Sequence, residues 1–465
     1  MRTKKSYFVI LGVLLISLLA ACSTTTPNQP VVQDQPDPVE ETTSSEEVVS
    51  GEDTASVEET EMDPVTIQVF YPIAVDAPIT DVLNGYIADF QAEYPYITVE
   101  PVFSGGYADV QTAIQTTIDG GGQPPAMAVM LATALYDLIN ADYIVPMDGY
   151  INNMEDGNAY INDFLPAFLE NSYYDDQLWS IPFQRSAVVL YYNVDMFNEA
   201  GIAVPNSWQS WAEAAQALTV NNGDSTNWGL QFSSDWPYWL FQPLAIGAGQ
   251  NIFIDDCHVA FDDPAVIDAV QFYIDLSAEY GAMPAGVQAN WATSATDFAS
   301  GTTAMVAHSS GSLTSILNQA EFEVGVMPYP GKEADTYASV PGGGNFYILN
   351  GAPQEQQDAA WKFIEFLSRP EYVADYSIQT GYIANRFSAY ETNVMQTYVN
   401  DVPQALATRD ALQYAGAELA LQNLGQVRGI FHDYIQRAIN GEMSAADAMT
   451  AAQSEAEAAL VDFCP

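Results

Sequence analysis

The sequence predicts an α/β fold built on an open sheet, and three observations carry that prediction. Apolar runs of strand length alternate with segments of helical period. VTIQVFYP at 65–72 is followed by Val82, Leu83, Tyr86, Ile87 and Phe90, spaced for one face of a helix. Polar turns rich in Ser and Gly close the apolar runs, as at Ser309-Ser310-Gly311-Ser312 within 302–350. At 178–192 the alternation breaks into two extended segments with no helix between them, which suits a strand crossing from one lobe to another.

The elements follow in order. After the helix at 79–94 come a strand at 97–103 and a helix opened by Ser104-Gly105-Gly106-Tyr107. A buried strand at 126–130, a helix at 133–140 and a short strand at 144–147 complete a βαβαβ unit, expected to be parallel and right-handed. A second unit runs to about 307. Asn206-Ser207-Trp208 caps a helix over 211–218, 228–232 is a strand, and Asp235-Trp236-Pro237-Tyr238-Trp239 begins a helix. Helices are expected at 266–280 and 292–299. The 302–350 stretch then gives a buried run, the Ser/Gly turn, a short helix, the strand EVGVMPY, a Gly-rich bend and the strand NFYIL. A helix at 355–367 precedes a helical tail, and no internal repeat is visible.

At 465 residues the chain has room for two or three domains. Its 11 basic and 60 acidic residues leave a net charge of -49, which excludes a nucleic-acid binder because a polyanion would be repelled. The same charge opposes adhesion to anionic lipid through a basic face. Arg2, Lys4 and Lys5 precede a short apolar core at 7–19, ending in Leu19-Ala20-Ala21-Cys22, which resembles a bacterial lipobox. Residues 1–21 are therefore read as a lipoprotein signal peptide, with Cys22 as the lipidated residue anchoring the chain to a membrane it does not span. Residues 22–64 read as a disordered acidic tether, with no basic residue to offset the acids. Cys257 and Cys464 remain; outside the cell they are expected to form a disulfide, two free thiols being the alternative.

Several segments, in this order, carry a family resemblance: IADFQAEYPYITV, IPFQRSAVVLYYNVDMFNEAGI, NSWQSWAEAAQAL, FASGTTAMVAHSSGSL, GVMPYPG, AAWKFIEFLSRPE and TGY at Thr380. From about 65 to 460 the chain resembles the extracellular solute-binding proteins of ABC importers, family 1, and within them the glycerol-3-phosphate-binding and maltose-binding branch. The resemblance implies a periplasmic-binding-protein-like fold of class II, two α/β lobes joined by hinge strands. The lobes are drawn at 65–185 with 312–368, and at 186–311 with 369–465. It also implies a monomer that takes a small-molecule sugar, polyol or glycerophosphate ligand, needs no cofactor, and delivers the ligand to ABC permease subunits by closing on it.

Site residues follow from the same resemblance. Tyr107, Ser186, Ser309, Ser310, Gly343, Tyr382 and Arg428 match the ligand-binding set, Arg185 adjoins it, and Trp236 with Trp239 match a pair at the cleft rim. Ala132 stands where that branch has a Glu contacting glycerol hydroxyls, which puts a glycerol end in doubt. Each residue also has a plainer reading. Ser309–Ser312 makes an N-capping turn, Trp236 and Trp239 pack as one face of a core helix, and Arg428 pairs with a surface carboxylate. Against that, few basic residues are present, and Arg185, Arg386 and Arg428 fall in or beside cleft motifs, where a guanidinium suits phosphate or carboxylate. Gly342-Gly343-Gly344 lacks the following Lys and Ser/Thr of a nucleotide loop, and His258, His308 and His432 show no metal spacing. An extracellular glycosidase is disfavoured, since no nucleophile elbow or zinc motif occurs. A neutral oligosaccharide as ligand, or a sensor feeding a membrane kinase, remain as alternatives.

Overall fold

The computed structural model describes residues 62–464, apart from Asp224, Asp235 and Val287. The expected signal peptide, Cys22 and all but the end of the tether lie outside these residues.

One eight-stranded sheet organises the described chain. Its strands are β1 (Val65–Tyr71), β2 (Ile97–Phe103), β3 (Met127–Leu131), β4 (Ile181–Asn193), β5 (Gln231–Phe232), β6 (Met305–Ser309), β7 (Val324–Met327) and β8 (Pro341–Ile348). The spatial order is β2-β1-β3-β8-β4-β6-β5, with β7 also paired to β4. β1 runs parallel to β2 and β3, as the βαβαβ reading requires; the helices Ile79–Glu93 and Tyr107–Asp119 make the crossovers. Residues 144–147 contribute only an isolated bridge, Ile144 to Leu349, in place of the expected strand.

β4 links the two halves of the sheet. Its thirteen residues, IPFQRSAVVLYYN, are buried almost throughout, so both faces of the strand are covered. The first half pairs with β8, from Ile181 opposite Phe346 to Ala187 opposite Pro341. The second half pairs with β6 and β7, from Val188 opposite Ser309 to Asn193 opposite Val324. One strand thus enters two groups of partners.

The apolar cores divide accordingly. One cluster joins β1, β2 and β3 to Phe346, Trp361 and Phe363, and it also takes in Tyr376 and Tyr382. A larger one gathers Trp211, Phe241, Phe261, Val427 and Phe431. A smaller one sets Leu313, Ile316 and Val324 against Val189 and Tyr191 of the second half of β4. This packing differs from the lobe bounds read from the sequence at two places: residues 313–324 sit with the second half of β4, and residues 376–382 with the first sheet half. The cause is the order of strands, because β7 follows its helix back onto β4 before β8 returns to β3.

The Gly-rich segment is not a bend but the start of β8. Gly344 faces Leu131, and the register slips by a bulge between Gly344 and Asn345. Ser207 caps the helix Trp208–Leu218 as expected, its hydroxyl accepting the Ser210 N–H at 3.2 Å. Cys257 and Cys464 are bonded, with Cα atoms 5.7 Å apart, and tie the end of the last helix to the β-turn at 255–258. No helix among the described residues is long and apolar enough to cross a membrane.

Candidate functional site

Residues from both core regions meet at one cleft enclosing about 460 Å³ of empty space, part of it open to solvent. Ala74 and Val75 follow β1, Leu131 ends β3 and Ser309 ends β6, so the cleft lies beyond the carboxyl ends of strands. Tyr107 enters at the first residue of its helix, Tyr382 just after the helix Pro370–Thr380, and Trp236, Tyr238 and Trp239 at the start of the helix Pro237–Ala248. Trp291, Ser186, Gly343 and Glu418 complete the lining.

Glycines explain how the floor is built. At Gly343, φ is +100° and a Cβ would stand 1.9 Å from the Gln184 carbonyl oxygen, so β8 lies against β4 only without a side chain here. A Cβ on Gly342 would meet the Trp239 indole at 2.4 Å, and one on Gly344 the Tyr107 ring at 2.5 Å. The triple glycine is the surface on which two cleft aromatics rest.

The polar groups are held in networks. The Tyr107 hydroxyl donates to Gln184 Oε1 at 3.1 Å and lies 3.4 Å from the Tyr382 hydroxyl, while Gln184 Nε2 donates to Tyr376 Oη at 2.9 Å. Burial pushes Tyr382 up to about 12 and Tyr107 well above its ordinary value, so both remain neutral phenols. Ser309 accepts the Gly311 N–H at 3.0 Å, which makes it the cap of the Ser/Gly turn and a cleft residue at once. Trp239 Nε1 donates to the Pro341 carbonyl at 2.9 Å.

Of the residues expected at the site, Tyr107, Ser186, Trp236, Trp239, Ser309, Gly343 and Tyr382 line the cleft; Arg185, Ser310 and Arg428 do not. Ser310 is buried behind the wall, where its Oγ accepts the Ala187 N–H at 2.9 Å. Arg185 is wholly buried. Its Nη1 donates to Asn345 Oδ1 at 3.3 Å, and its Nη2 lies 3.9 Å from Glu418 Oε2. Arg428 packs on the aromatic wall, its guanidinium 5.8 Å from the Trp236 ring centre and 5.5 Å from that of Tyr238. One turn on, His432 Nε2 accepts the Tyr238 N–H at 3.3 Å; burial holds this imidazole down to about 4, hence neutral. Arg428 and His432 therefore brace Tyr238. Arg386 is not in the lining and pairs with Asp163 at 2.7 Å. Ala132 is buried, with its carbonyl accepting from Tyr347 Oη at 3.3 Å.

Sequence reasoning did not select Trp291, Glu418 or the apolar Ala74, Val75 and Leu131. Glu418 carried a signal: one acid inside the apolar run Ala417-Glu418-Leu419-Ala420-Leu421 marks a carboxyl buried with its neighbours. Burial pushes it up to about 8, against the pull of Arg185 and the hydrogen bond from Asn171. No cluster of metal-ligating side chains is present among the described residues.

Residues 85–404 match the family described as bacterial extracellular solute-binding protein. The sn-glycerol-3-phosphate-binding periplasmic protein UgpB of Yersinia enterocolitica is 26% identical over 404 residues, covering 82% of this chain and 89% of that one. The protein of the same name from Escherichia coli is 27% identical over 390 residues, covering 78% and 85%. Among solved structures, UgpB from Mycobacterium tuberculosis in complex with glycerophosphocholine superposes with a TM-score of 0.74 at 22% identity, over 87% of this chain and 100% of that one. Maltose-bound T. maritima MalE3 gives 0.72 at 18%, over 84% and 99%. The fold is that of the periplasmic binding proteins, and the chain belongs to the bacterial extracellular solute-binding proteins.

Proposed function

We propose that the chain is a lipid-anchored receptor that captures a neutral sugar or polyol between two lobes and hands it to an ABC permease. One observation carries the choice of ligand. The cleft wall is made of Trp236, Tyr238, Trp239 and Trp291 facing Tyr107 and Tyr382, and the lining holds one carboxyl, Glu418, and no Lys or Arg. Indole and phenol faces stack on the C–H faces of sugar rings, and phenols and serines exchange hydrogen bonds with hydroxyls. A phosphate ester would enter a protein of net charge -49 and meet a carboxyl with no Lys or Arg in the lining. The lobes on this reading are 65–183 with 346–401, and 187–340 with 411–464, sharing β4 and β8 as the hinge. Lipid attachment at Cys22 rests on the Leu19-Ala20-Ala21-Cys22 signal.

A second reading, phosphate-ester capture, is favoured by Arg428 lying on the cleft wall and by the similarity to the glycerol-3-phosphate-binding UgpB proteins. Calorimetric titration of the full-length chain in detergent separates the two. Saturable binding of maltose, glucose or a simple polyol, with no heat from glycerol 3-phosphate or glycerophosphocholine, supports the neutral reading. Binding of phosphate esters alone, abolished by Arg428→Ala, overturns it.

A further inference from the structure

Glu418 and Arg185 form a buried carboxyl–guanidinium pair at the cleft, with Glu418 ionised only above the level of about 8 to which burial pushes it. Glu418 is 2% exposed and Arg185 0%, so both are withdrawn from water. Their contact, at 3.9 Å, is longer than a hydrogen bond, and Arg185 Nε and Nη2 are buried without a hydrogen-bond partner. Packed apolar residues of equal volume would avoid that cost, so the pair is a poor device for stability alone.

The arrangement has a direction. Arg185 comes from β4, paired in register with Gly343, whose missing side chain lets the two backbones lie together. Glu418 Oε2 faces Arg185 and accepts from Asn171 Nδ2 at 3.3 Å. Its other oxygen, Oε1, receives no donor from the described residues, and the residue lines the cleft. A carboxylate oxygen at a ligand cavity, with its partner oxygen tethered, is a fixed acceptor for O–H donors.

We infer that Glu418, positioned by Arg185 and Asn171, is the specificity-determining acceptor of the cleft, taking hydroxyl hydrogens from a neutral sugar or polyol and turning away phosphate esters. The inference rests on the neutral-ligand reading above and names the residue that enforces it. Once Glu418 is ionised, an incoming hydroxyl completes its hydrogen bonding, whereas a phosphate oxygen meets its lone pairs at short range. Arg185 does not rescue the anion, because it is wholly buried and absent from the lining.

The test uses the full-length chain in detergent at pH 8.5, above the level of about 8 to which burial pushes Glu418. Maltose, glucose and glycerol serve as neutral probes, and glycerol 3-phosphate as the anionic one. Glu418→Gln keeps the shape but loses the charge; it is expected to weaken the best neutral probe by about 10- to 100-fold and to admit glycerol 3-phosphate. Since that variant leaves Arg185 unpaired, the double variant Arg185→Gln/Glu418→Gln is made alongside; its two amides replace the ion pair without a buried charge. It is expected to melt near the wild type and still bind the neutral probe weakly. Wild-type affinity for the neutral probe in a folded double variant overturns the inference while leaving the neutral reading intact. A wild type that binds none of the neutral probes overturns that reading, and the inference with it.

Discussion

Truncating Trp236 and Trp239 separately distinguishes a ligand platform from a core anchor. Trp239 is 6% exposed, lies in the large apolar cluster, rests on Gly342 and donates to the Pro341 carbonyl. Trp239→Ala therefore removes a packed indole, about 3–5 kcal/mol, and leaves a buried carbonyl short of its donor, about 1 kcal/mol more. Against a total of about 5–15 kcal/mol, that is a large share of the stability. Trp236 is half-buried at the helix start, with the Arg428 guanidinium 5.8 Å above its ring. Its loss costs the fold about 1 kcal/mol of cation–π contact and partial burial. As a stacking face it should instead cost about 1–3 kcal/mol of binding, or roughly 5- to 150-fold in Kd. Urea denaturation reads the first quantity and calorimetric titration with the best neutral probe reads the second. If Trp236→Ala destabilises the fold more than Trp239→Ala, or binds as the wild type does, the division of roles drawn from the burial of the two rings is refuted.

Three further outcomes are expected. The Cys257–Cys464 bridge closes a separation of 207 residues, so Cys464→Ser should lower unfolding free energy by up to about 5 kcal/mol; a denaturant midpoint unmoved by the substitution or by reductant would contradict this. Gly343→Ala should destabilise by at least about 2–3 kcal/mol and impair binding, since its Cβ meets the Gln184 carbonyl at a φ of +100°. Gly85→Ala, on an open helix face, should be stabilising by about 0.5–1 kcal/mol, and equal effects from the two changes would remove the argument from the floor. Glu418 keeps its proton in the folded chain up to about 8 but loses it near 4.5 when unfolded, so its contribution is present below 4.5 and fades as pH rises to 8. Unfolding free energies of wild type and Glu418→Gln, compared at pH 5 and pH 8, should diverge to the wild type's disadvantage at the higher pH; parallel values would show that Glu418 is not desolvated.

Much of the architecture was determined by sequence alone, because it is local or periodic. The apolar run of β4, the alternation from 65 to 140, the Ser207 cap and the charge of -49 are each written in residues near one another, and they required no knowledge of the rest of the chain. The motif series carried the family and most of the cleft lining. Tertiary structure decided what depends on which side of an element faces which neighbour. Arg185 and Ser186 are adjacent on a strand, where successive side chains point to opposite faces, so one must face away from the cleft. Which one was settled only by the tertiary structure, which buries Arg185 and leaves Ser186 in the lining. Arg428 reads as an anion ligand until its helix docks and sets it on Trp236 and Tyr238. Glu418 meets Arg185 across more than two hundred residues, in a segment between helices where no period points to a partner. That pairing, and with it the chemistry of the cleft floor, exists only in three dimensions.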